Sequence, residues 1–210
     1  MPSPLSVYRQ IGAFLYPVIK KEVRAIEQVT SIVVRNKPGV LMRVAGLFSR
    51  RGFNIDSLAV GITQNPEFSR MTVTMKADAS TVDQVCKQLA KLVEVEAIKV
   101  LPPNASTTRS MTLVKVKAGD KKLEILKLAD VFRAHAIDVT GDSLTFLVTG
   151  VNDKLAAFVD VMRTYGIIEM VQTGAIALER GDEALTVEKS RYTWPKFVDE
   201  ANVRKNCTVI

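Results

Sequence analysis

The strongest constraint on the fold is a change of apolar period that occurs in the same order twice along the chain. In 30–101, stretches of alternating apolar residues are separated by two stretches in which apolar residues recur at helical spacing. The predicted order of elements is therefore β-α-β-β-α-β. A linker signal follows at Pro102-Pro103-Asn104, and the same order then returns in 110–181. We predict two copies of one structural unit, joined end to end.

The predicted elements of each unit follow from these periods. In the first unit the strands are 30–35, 53–62, 70–76 and 93–100, and the helices begin at Val40 and Ser80. In the second unit the strands are 111–116, 137–139, 144–148 and 167–178, and the helices are 120–135 and one that begins at Asn152. Ser80 and Asn152 are the predicted helix caps. His135 is predicted to end a helix, where it would face the last carbonyl groups.

A β-α-β-β-α-β unit is the ferredoxin-like arrangement, in which both helices cover one face of an antiparallel sheet. We therefore expect an α+β chain with two ferredoxin-like domains, and we expect the uncovered sheet faces to contact partners. The predicted segments are an arm (1–28), a first domain (29–101), a linker (102–109), a second domain (110–181) and a tail (182–210). The tail contains aromatic side chains, so we expect it to dock on the body or on another subunit.

Composition argues against several classes of protein. The net charge is +7, but it is spread along the chain, with ten basic and six acidic residues in 30–101, so it gives little support to a polyanion partner. No apolar run reaches the ~20 residues that a membrane-spanning helix needs. The two cysteines make no metal or disulfide framework. We expect no nucleic-acid partner and no membrane partner.

Signals for catalysis or modification are weak. No Gly-rich phosphate loop, HExxH or CxxC motif occurs, and Cys86 lies in a helix where a small apolar residue fits. The last four residues, Cys207-Thr208-Val209-Ile210, match a prenylation pattern that short sequences often match by chance. The first 28 residues could be a transit-peptide remnant, but the acidic Glu22 and Glu27 favour an amphipathic arm.

The turn Asn36-Lys37-Pro38-Gly39 has the chemistry of a small-ligand site. It ends a strand and opens a helix, so the N–H groups of Gly39, Val40 and Leu41 are expected to be free for a carboxylate. The side-chain oxygen of Asn36 could accept a hydrogen bond from an α-ammonium. A plain strand-to-helix connection remains an alternative, because Asn-x-Pro-Gly is common turn chemistry.

A second asparagine, Asn54, follows at the far end of the same helix. A helix of ~12 residues is ~18 Å long, so one chain cannot easily place Asn54 beside its own Asn36. Two chains packed side by side could. We expect an amino acid to bind between two chains, with its apolar side chain near Val40, Leu41 and Ile55. The predicted ligand-binding residues are Asn36, Lys37, Pro38, Gly39, Val40, Leu41, Asn54 and Ile55.

The stretch NKPGVLMRVAGLFSRRGFNIDSLAVG, which starts at Asn36, resembles the ACT domain of the regulatory (small) subunit of acetohydroxyacid synthase, also called acetolactate synthase. Further resemblance lies in 68–72, 87–95, 131–140 and 172–181. The resemblance covers about 30–181. It does not extend to 1–28 or 182–210.

The resemblance implies a non-catalytic regulatory subunit that forms a homodimer and binds the large catalytic subunit. It implies activation of that subunit and feedback inhibition by valine, with leucine and isoleucine as further candidates, at a site between two ACT domains. In that site Asn36, Gly39, Val40 and Leu41 would come from one chain, and Asn54 and Ile55 from the other. Thiamine diphosphate, Mg²⁺ and FAD are expected in the catalytic subunit, and no cofactor in this chain.

Val116-Lys117-Ala118-Gly119-Asp120 stands in the second domain where the first has its Asn-x-Pro-Gly turn. We therefore expect the second domain to serve dimerisation or contact with the catalytic subunit. Three other functions remain open: an ACT-type sensor for a different biosynthetic enzyme, an RNA-binding module and an independent enzyme. The expected location is the cytoplasm in a bacterium, and the plastid or mitochondrion in a eukaryote.

Overall fold

The computed structural model describes residues 26–187 and 192–193, which form two sheets with two helices each. The elements of the first domain are β1 (Ile26–Arg35), α1 (Val40–Arg50), β2 (Ser57–Ile62), β3 (Phe68–Ala77), α2 (Ala79–Leu89) and β4 (Val95–Leu101). The elements that follow are β5 (Ser106–Lys117), α3 (Lys122–Val131), β6 (His135–Val139), β7 (Ser143–Gly150), α4 (Asn152–Arg163), β8 (Ile167–Gln172), β9 (Ile176–Glu179) and β10 (Tyr192–Thr193).

The first sheet has the strand order β10-β4-β1-β3-β2, so β2 is an edge strand. β1 lies antiparallel to both β3 and β4. Ile32, Val73 and Ile98 lie on the face of this sheet that packs on α1 and α2, and these three residues are fully buried. The second sheet has the order β6-β7-β5-β8, and its core lies beneath α3 and α4. The prediction of an α+β chain with two ferredoxin-like units is thus confirmed.

The predicted strand 53–62 is too long at its start. α1 ends at Arg50, and Gly52 takes a left-handed conformation with φ of 69°. The N–H of Phe53 then donates to the carbonyl of Phe48 at 3.0 Å, which closes the helix end and turns the chain. Strand β2 consequently begins only at Ser57, and residues 53–56 form a loop.

Both predicted helix caps are wrong by one or two residues. Asp78, and not Ser80, caps α2, because its side chain accepts a hydrogen bond of 2.6 Å from the N–H of Thr81. That bond holds the pKa of the Asp78 carboxyl below its usual value. Asn152 is the first residue of α4 rather than its cap, and its side chain donates to Glu27 at 3.3 Å.

The placement of His135 is also wrong. The predicted helix 120–135 is replaced by a short 3-10 helix, Gly119–Lys121, and by α3, which ends at Val131. Arg133 has a φ of 52°, and the N–H of Ala134 returns to the carbonyl of Ala129 at 3.0 Å. This left-handed turn ends the helix, so His135 begins the exposed strand β6.

The predicted last strand, 167–178, is two strands with different partners. β8 pairs with the second half of β5 in the second sheet, and β9 pairs with Ser106–Arg109 at the start of β5. The stretch 102–109, expected as a linker, therefore contains a 3-10 helix, Pro103–Ala105, and four strand residues. Ala177 on β9 packs against Val29 and Leu101, so β9 connects the two domains.

The uncovered face of the first sheet is partly covered by the chain itself. The contacts come from β9 and from 181–187, which form one wall of a cavity of about 710 Å³ over β1, β3 and β4. Beyond this segment, β10 pairs with β4 in parallel register. The tail therefore contacts the body where it is described. The predictions for 1–25, for Trp194 and for Cys207 lie outside the described residues. No helix in the described part of the chain is long and apolar enough to cross a membrane.

Candidate functional site

The turn between β1 and α1 is exposed and open, as a ligand site requires. Residues 35–39 are all exposed to solvent. Gly39 precedes α1 with a φ of 84°, a left-handed conformation that glycine adopts without strain. No heavy atom lies within 4 Å of the position that a Cβ on Gly39 would occupy. A small molecule can therefore approach the backbone here.

Asn36 is held in place by the neighbouring β2–β3 turn. Its N–H donates to the carbonyl of Glu67 at 2.7 Å, and its side-chain Nδ2 donates to the carbonyl of Pro66 at 3.0 Å. The side-chain oxygen Oδ1 is therefore fixed in direction and has no donor among the described residues. An amide oxygen in this position can accept a hydrogen bond from an ammonium group.

Of the three N–H groups expected to be free at this turn, those of Gly39 and Leu41 have no acceptor among the described residues, and Met42 adds a third free group. Val40 donates weakly to Lys37 at 3.4 Å, so its N–H belongs to the turn. Within the described residues, no hydrogen bond uses the N–H of Leu41 or Met42, and no side chain caps the helix. Met42 was missed in the sequence, although the first four N–H groups of any helix lack partners.

The side chains around these donors suit an anion with an apolar group. The first turn of α1 has no acidic residue, so the positive end of the helix dipole is not neutralised there. Leu41 and Met42 are 45% and 79% exposed, whereas Val40 is buried in the core. Lys37 and Pro38 are exposed to solvent.

Asn54 and Ile55 lie at the other end of α1, as the sequence indicated. The 11 residues of α1 span about 16 Å. Asn54 is exposed and donates to Asp56 at 3.1 Å, which leaves its amide oxygen unpaired within the described residues. Ile55 is half-buried against the first core. A single chain therefore does not bring Asn36 and Asn54 together.

The corresponding turn of the second domain contains a short 3-10 helix. The N–H of Ala118 donates to Asp142 at 2.8 Å, the N–H of Lys117 donates to Gly166 at 2.9 Å, and Lys121 closes a turn onto Ala118 at 2.9 Å. This 3-10 helix, Gly119–Lys121, directly precedes α3, whereas α1 begins directly after Gly39. The first two bonds have counterparts in the first domain, where the N–H of Arg35 donates to Glu94 and the N–H of Asn36 donates to Glu67. The two turns therefore differ in the 3-10 helix and in the Asn-x-Pro-Gly sequence, and the role expected for the second domain stays a prediction.

The fold and the turn define a chain of two ACT-type ferredoxin-like domains with one open amino-terminal turn. The model of the AHAS small subunit-like ACT domain matches residues 30–97, and the model of the small subunit of acetolactate synthase matches residues 109–181. The chain belongs to the acetolactate synthase small-subunit family.

Individual relatives agree with this assignment. A probable acetolactate synthase small subunit from Archaeoglobus fulgidus is 47% identical over 154 residues, which cover 73% of this chain and 96% of the relative. The acetolactate synthase small subunit of Mycolicibacterium smegmatis is 42% identical over 160 residues, covering 76% and 94%. The crystal structure of a Thermotoga maritima acetolactate synthase small subunit shows 38% identity, a TM-score of 0.72, and coverage of 75% and 99%.

Proposed function

We propose that this chain is a non-catalytic regulatory subunit that activates the acetolactate synthase catalytic subunit and makes it sensitive to valine. The observation that supports the proposal best is the set of free N–H groups of Gly39, Leu41 and Met42, which follow in the chain directly after Asn36 with its unpaired side-chain oxygen. The carboxylate of an amino acid can accept hydrogen bonds from these N–H groups, and its ammonium can donate to the oxygen of Asn36. Thiamine diphosphate, Mg²⁺ and FAD would be bound by the catalytic subunit.

The effector site is completed by a second copy of the chain. Strand β2 is an edge strand, so one side of its backbone lacks a partner strand within the described part of the chain. Val60 and Ile62 on this strand are 47% and 68% exposed. A second copy paired alongside β2 and α1 would cover them and would bring its Asn54 and Ile55 towards the Asn36 turn. This proposal therefore includes a homodimer.

Valine is the best-fitting effector for this turn because its side chain is short and apolar. Leu41 presents an exposed apolar surface next to the free N–H groups, and Ile55 of the second chain would add another. Binding needs only to favour one arrangement of the dimer over another, and a coupling of ~1–3 kcal/mol is enough for a useful change in activity. Leucine and isoleucine are further candidates for the same site.

The test is the variant Gly39→Asp in the chain assembled with its catalytic subunit. The new carboxylate occupies the space of the ligand carboxylate, and Asp tolerates a left-handed φ better than most residues. We expect valine inhibition to be lost while activation of the catalytic subunit is retained. Wild-type sensitivity to valine in this variant would show that the site lies elsewhere.

The matched control is Gly119→Asp. Gly119 also has a positive φ, 45°, and no heavy atom within 4 Å of its Cβ position, but it lies in the second domain, whose turn has no Asn-x-Pro-Gly sequence. We expect this variant to keep valine inhibition. Calorimetry with a panel of amino acids separates the valine sensor from an ACT-type sensor of another amino acid. Tighter binding of an amino acid without a branched apolar side chain would contradict the proposal.

A further inference from the structure

A cleft between the two domains has charge and shape that the proposed effector site does not use. The cleft has a volume of about 460 Å³. One wall is formed by β2 and β3 of the first domain, and the other wall by β5 and β9. The wall from the first domain includes Arg70, Thr72, Ala59 and Gly61. The register Ala59↔Thr72 and Gly61↔Arg70 places these four on one sheet face.

The opposite wall is also one face of a strand pair. The register Thr107↔Leu178 and Arg109↔Ile176 places Thr107, Arg109, Ile176 and Leu178 together on the β5–β9 pair. Ile176 and Leu178 are 63% and 58% exposed. Exposed apolar side chains grouped around a concave surface are typical of a binding site.

All charged residues that line the cleft are arginines. Arg70 is half-buried, and its Nε donates to the hydroxyl of Ser31 at 2.7 Å. The guanidinium of Arg70 forms no ion pair within residues 26–187. Arg109 donates only to the neighbouring carbonyl of Thr108, at 2.8 Å. Two cations therefore face one cleft with no carboxylate among the residues that line it.

The nearest group of acidic residues does not compensate for Arg70. Glu179 and Glu183 line the larger cavity, which Arg70 also lines, and both bind Lys99. Asp182 lines the same cavity and forms no ion pair with Arg70. Burial lowers the pKa of Arg70 below its ordinary value, with no opposing contribution from an acidic partner. A half-buried guanidinium without a counter-ion favours an anionic ligand.

We propose that this cleft binds a small monocarboxylate with an apolar body, at a site separate from the Asn36 turn. The carboxylate accepts hydrogen bonds from Arg70 and Arg109, with the Thr72 and Thr107 hydroxyls as further donors. The apolar body lies against Ile176, Leu178 and Ala59. Because the walls belong to different domains, the bound molecule stabilises their contact and raises the resistance of the chain to unfolding.

The test measures binding of 3-methylbutanoate to the full-length chain by calorimetry and ligand-observed NMR. This probe has a carboxylate and a branched apolar body, but it lacks the ammonium that the Asn36 turn would bind. We expect one site per chain. Arg70→Met and Arg109→Met should each weaken binding about 10-fold or more, because each removes a charge-assisted hydrogen-bond donor. The neutral amide of the probe, 3-methylbutanamide, should bind much more weakly than the acid.

Two variants serve as matched controls. Arg163→Met removes one positive charge on α4, where Arg163 pairs with Asp160, and it should not change binding of the probe. Gly39→Asp should also leave it unchanged, which separates this site from the proposed effector site. If Arg70→Met does not fold, because Arg70 also holds Ser31, Arg109→Met on the other wall decides the result.

Three outcomes would overturn the inference. The first is no binding of 3-methylbutanoate at concentrations up to about 10 mM, the range of a weak small-ligand site. The second is wild-type binding in Arg109→Met and in a folded Arg70→Met. The third is tighter binding of inorganic phosphate than of the probe, which would show that the apolar wall has no part in recognition.

Discussion

Gly174 lies so close to Leu58 that a Cβ on Gly174 would be 2.6 Å from the backbone oxygen of Leu58. Gly174 belongs to the loop between β8 and β9, and Leu58 belongs to the edge strand of the first domain. Next to this contact, the N–H of Ala175 donates to the hydroxyl of Ser57 at 3.2 Å. The two domains thus meet backbone to backbone, a few residues along the chain from Asn54 and Ile55.

Gly174→Ala should disrupt the contact between Gly174 and Leu58 without altering the core of either domain. A Cβ at this position collides with backbone atoms, which cannot move aside as a flexible side chain can. We expect a loss of about 1–3 kcal/mol in the free energy of unfolding, together with faster proteolysis near residue 174. Gly141→Ala, at a position with no heavy atom within 4 Å, is the control and should change little. Equal proteolysis rates for both variants would contradict this account of the domain contact.

Lys99 and Glu179 provide a second connection between the first sheet and β9. Their side chains are only 16% and 19% exposed, and Glu183 adds a contact to Lys99 at 3.4 Å. Burial lowers the pKa of Lys99, but the hydrogen bonds and charges of Glu179 and Glu183 raise it more, so the pKa is raised. We expect Lys99→Met to reduce the free energy of unfolding by about 1 kcal/mol at pH 7.

The same pair predicts a pH dependence with a definite sign. Because the pKa of Lys99 is higher in the folded chain, its contribution is fully present below the ordinary lysine value of 10.5 and is lost as the pH rises through the folded-state pKa. The stability difference between wild type and Lys99→Met should therefore be constant from about pH 7 to 9 and shrink above about pH 10.5. Denaturant unfolding at several pH values measures this stability difference. A difference that grows in alkali would contradict the raised pKa of Lys99.

The cap of α2 can be tested by comparing two neighbouring residues. Asp78→Ala removes the acceptor for the N–H of Thr81 and should lower the midpoint of thermal unfolding by roughly 2–4 °C. Ser80→Ala removes only the hydroxyl that donates to Asp78 at 3.0 Å, and it should have a smaller effect. A larger effect for Ser80→Ala than for Asp78→Ala would show that Ser80 caps α2, as predicted from the sequence.

Phe158 is the centre of the second core. It meets Phe132 and Phe146 edge to face, with ring centroids 5.5 and 6.0 Å away. Phe158→Ala should reduce the free energy of unfolding by about 3–5 kcal/mol, because it leaves a cavity among aromatic rings. The control is Leu123→Ala on the exposed side of α3, where Leu123 is 76% exposed, and it should be close to neutral. Denaturant unfolding followed by circular dichroism compares the two variants.

The sequence predicted those features that depend on neighbouring residues. The apolar spacing of Val40, Val44 and Leu47 defined α1, and the alternation of Met71 and Val73 defined β3, because a buried face needs a period that matches the backbone. The Asn36–Gly39 turn was recognisable because Pro and Gly set the backbone conformation locally. Helix ends were less certain, since a left-handed Arg133 or an Asp78 cap depends on individual hydrogen bonds that the apolar pattern does not contain.

The tertiary structure alone decided which distant residues meet. Nothing in the local pattern indicates that Pro66 fixes the Asn36 side chain, that β9 pairs with the start of β5 and packs on the first domain, or that Arg70 faces Arg109 across a cleft. These relationships join residues 30 or more positions apart. Such contacts depend on how whole sheets pack, and the free energy of packing is a property of two surfaces together rather than of either stretch of sequence.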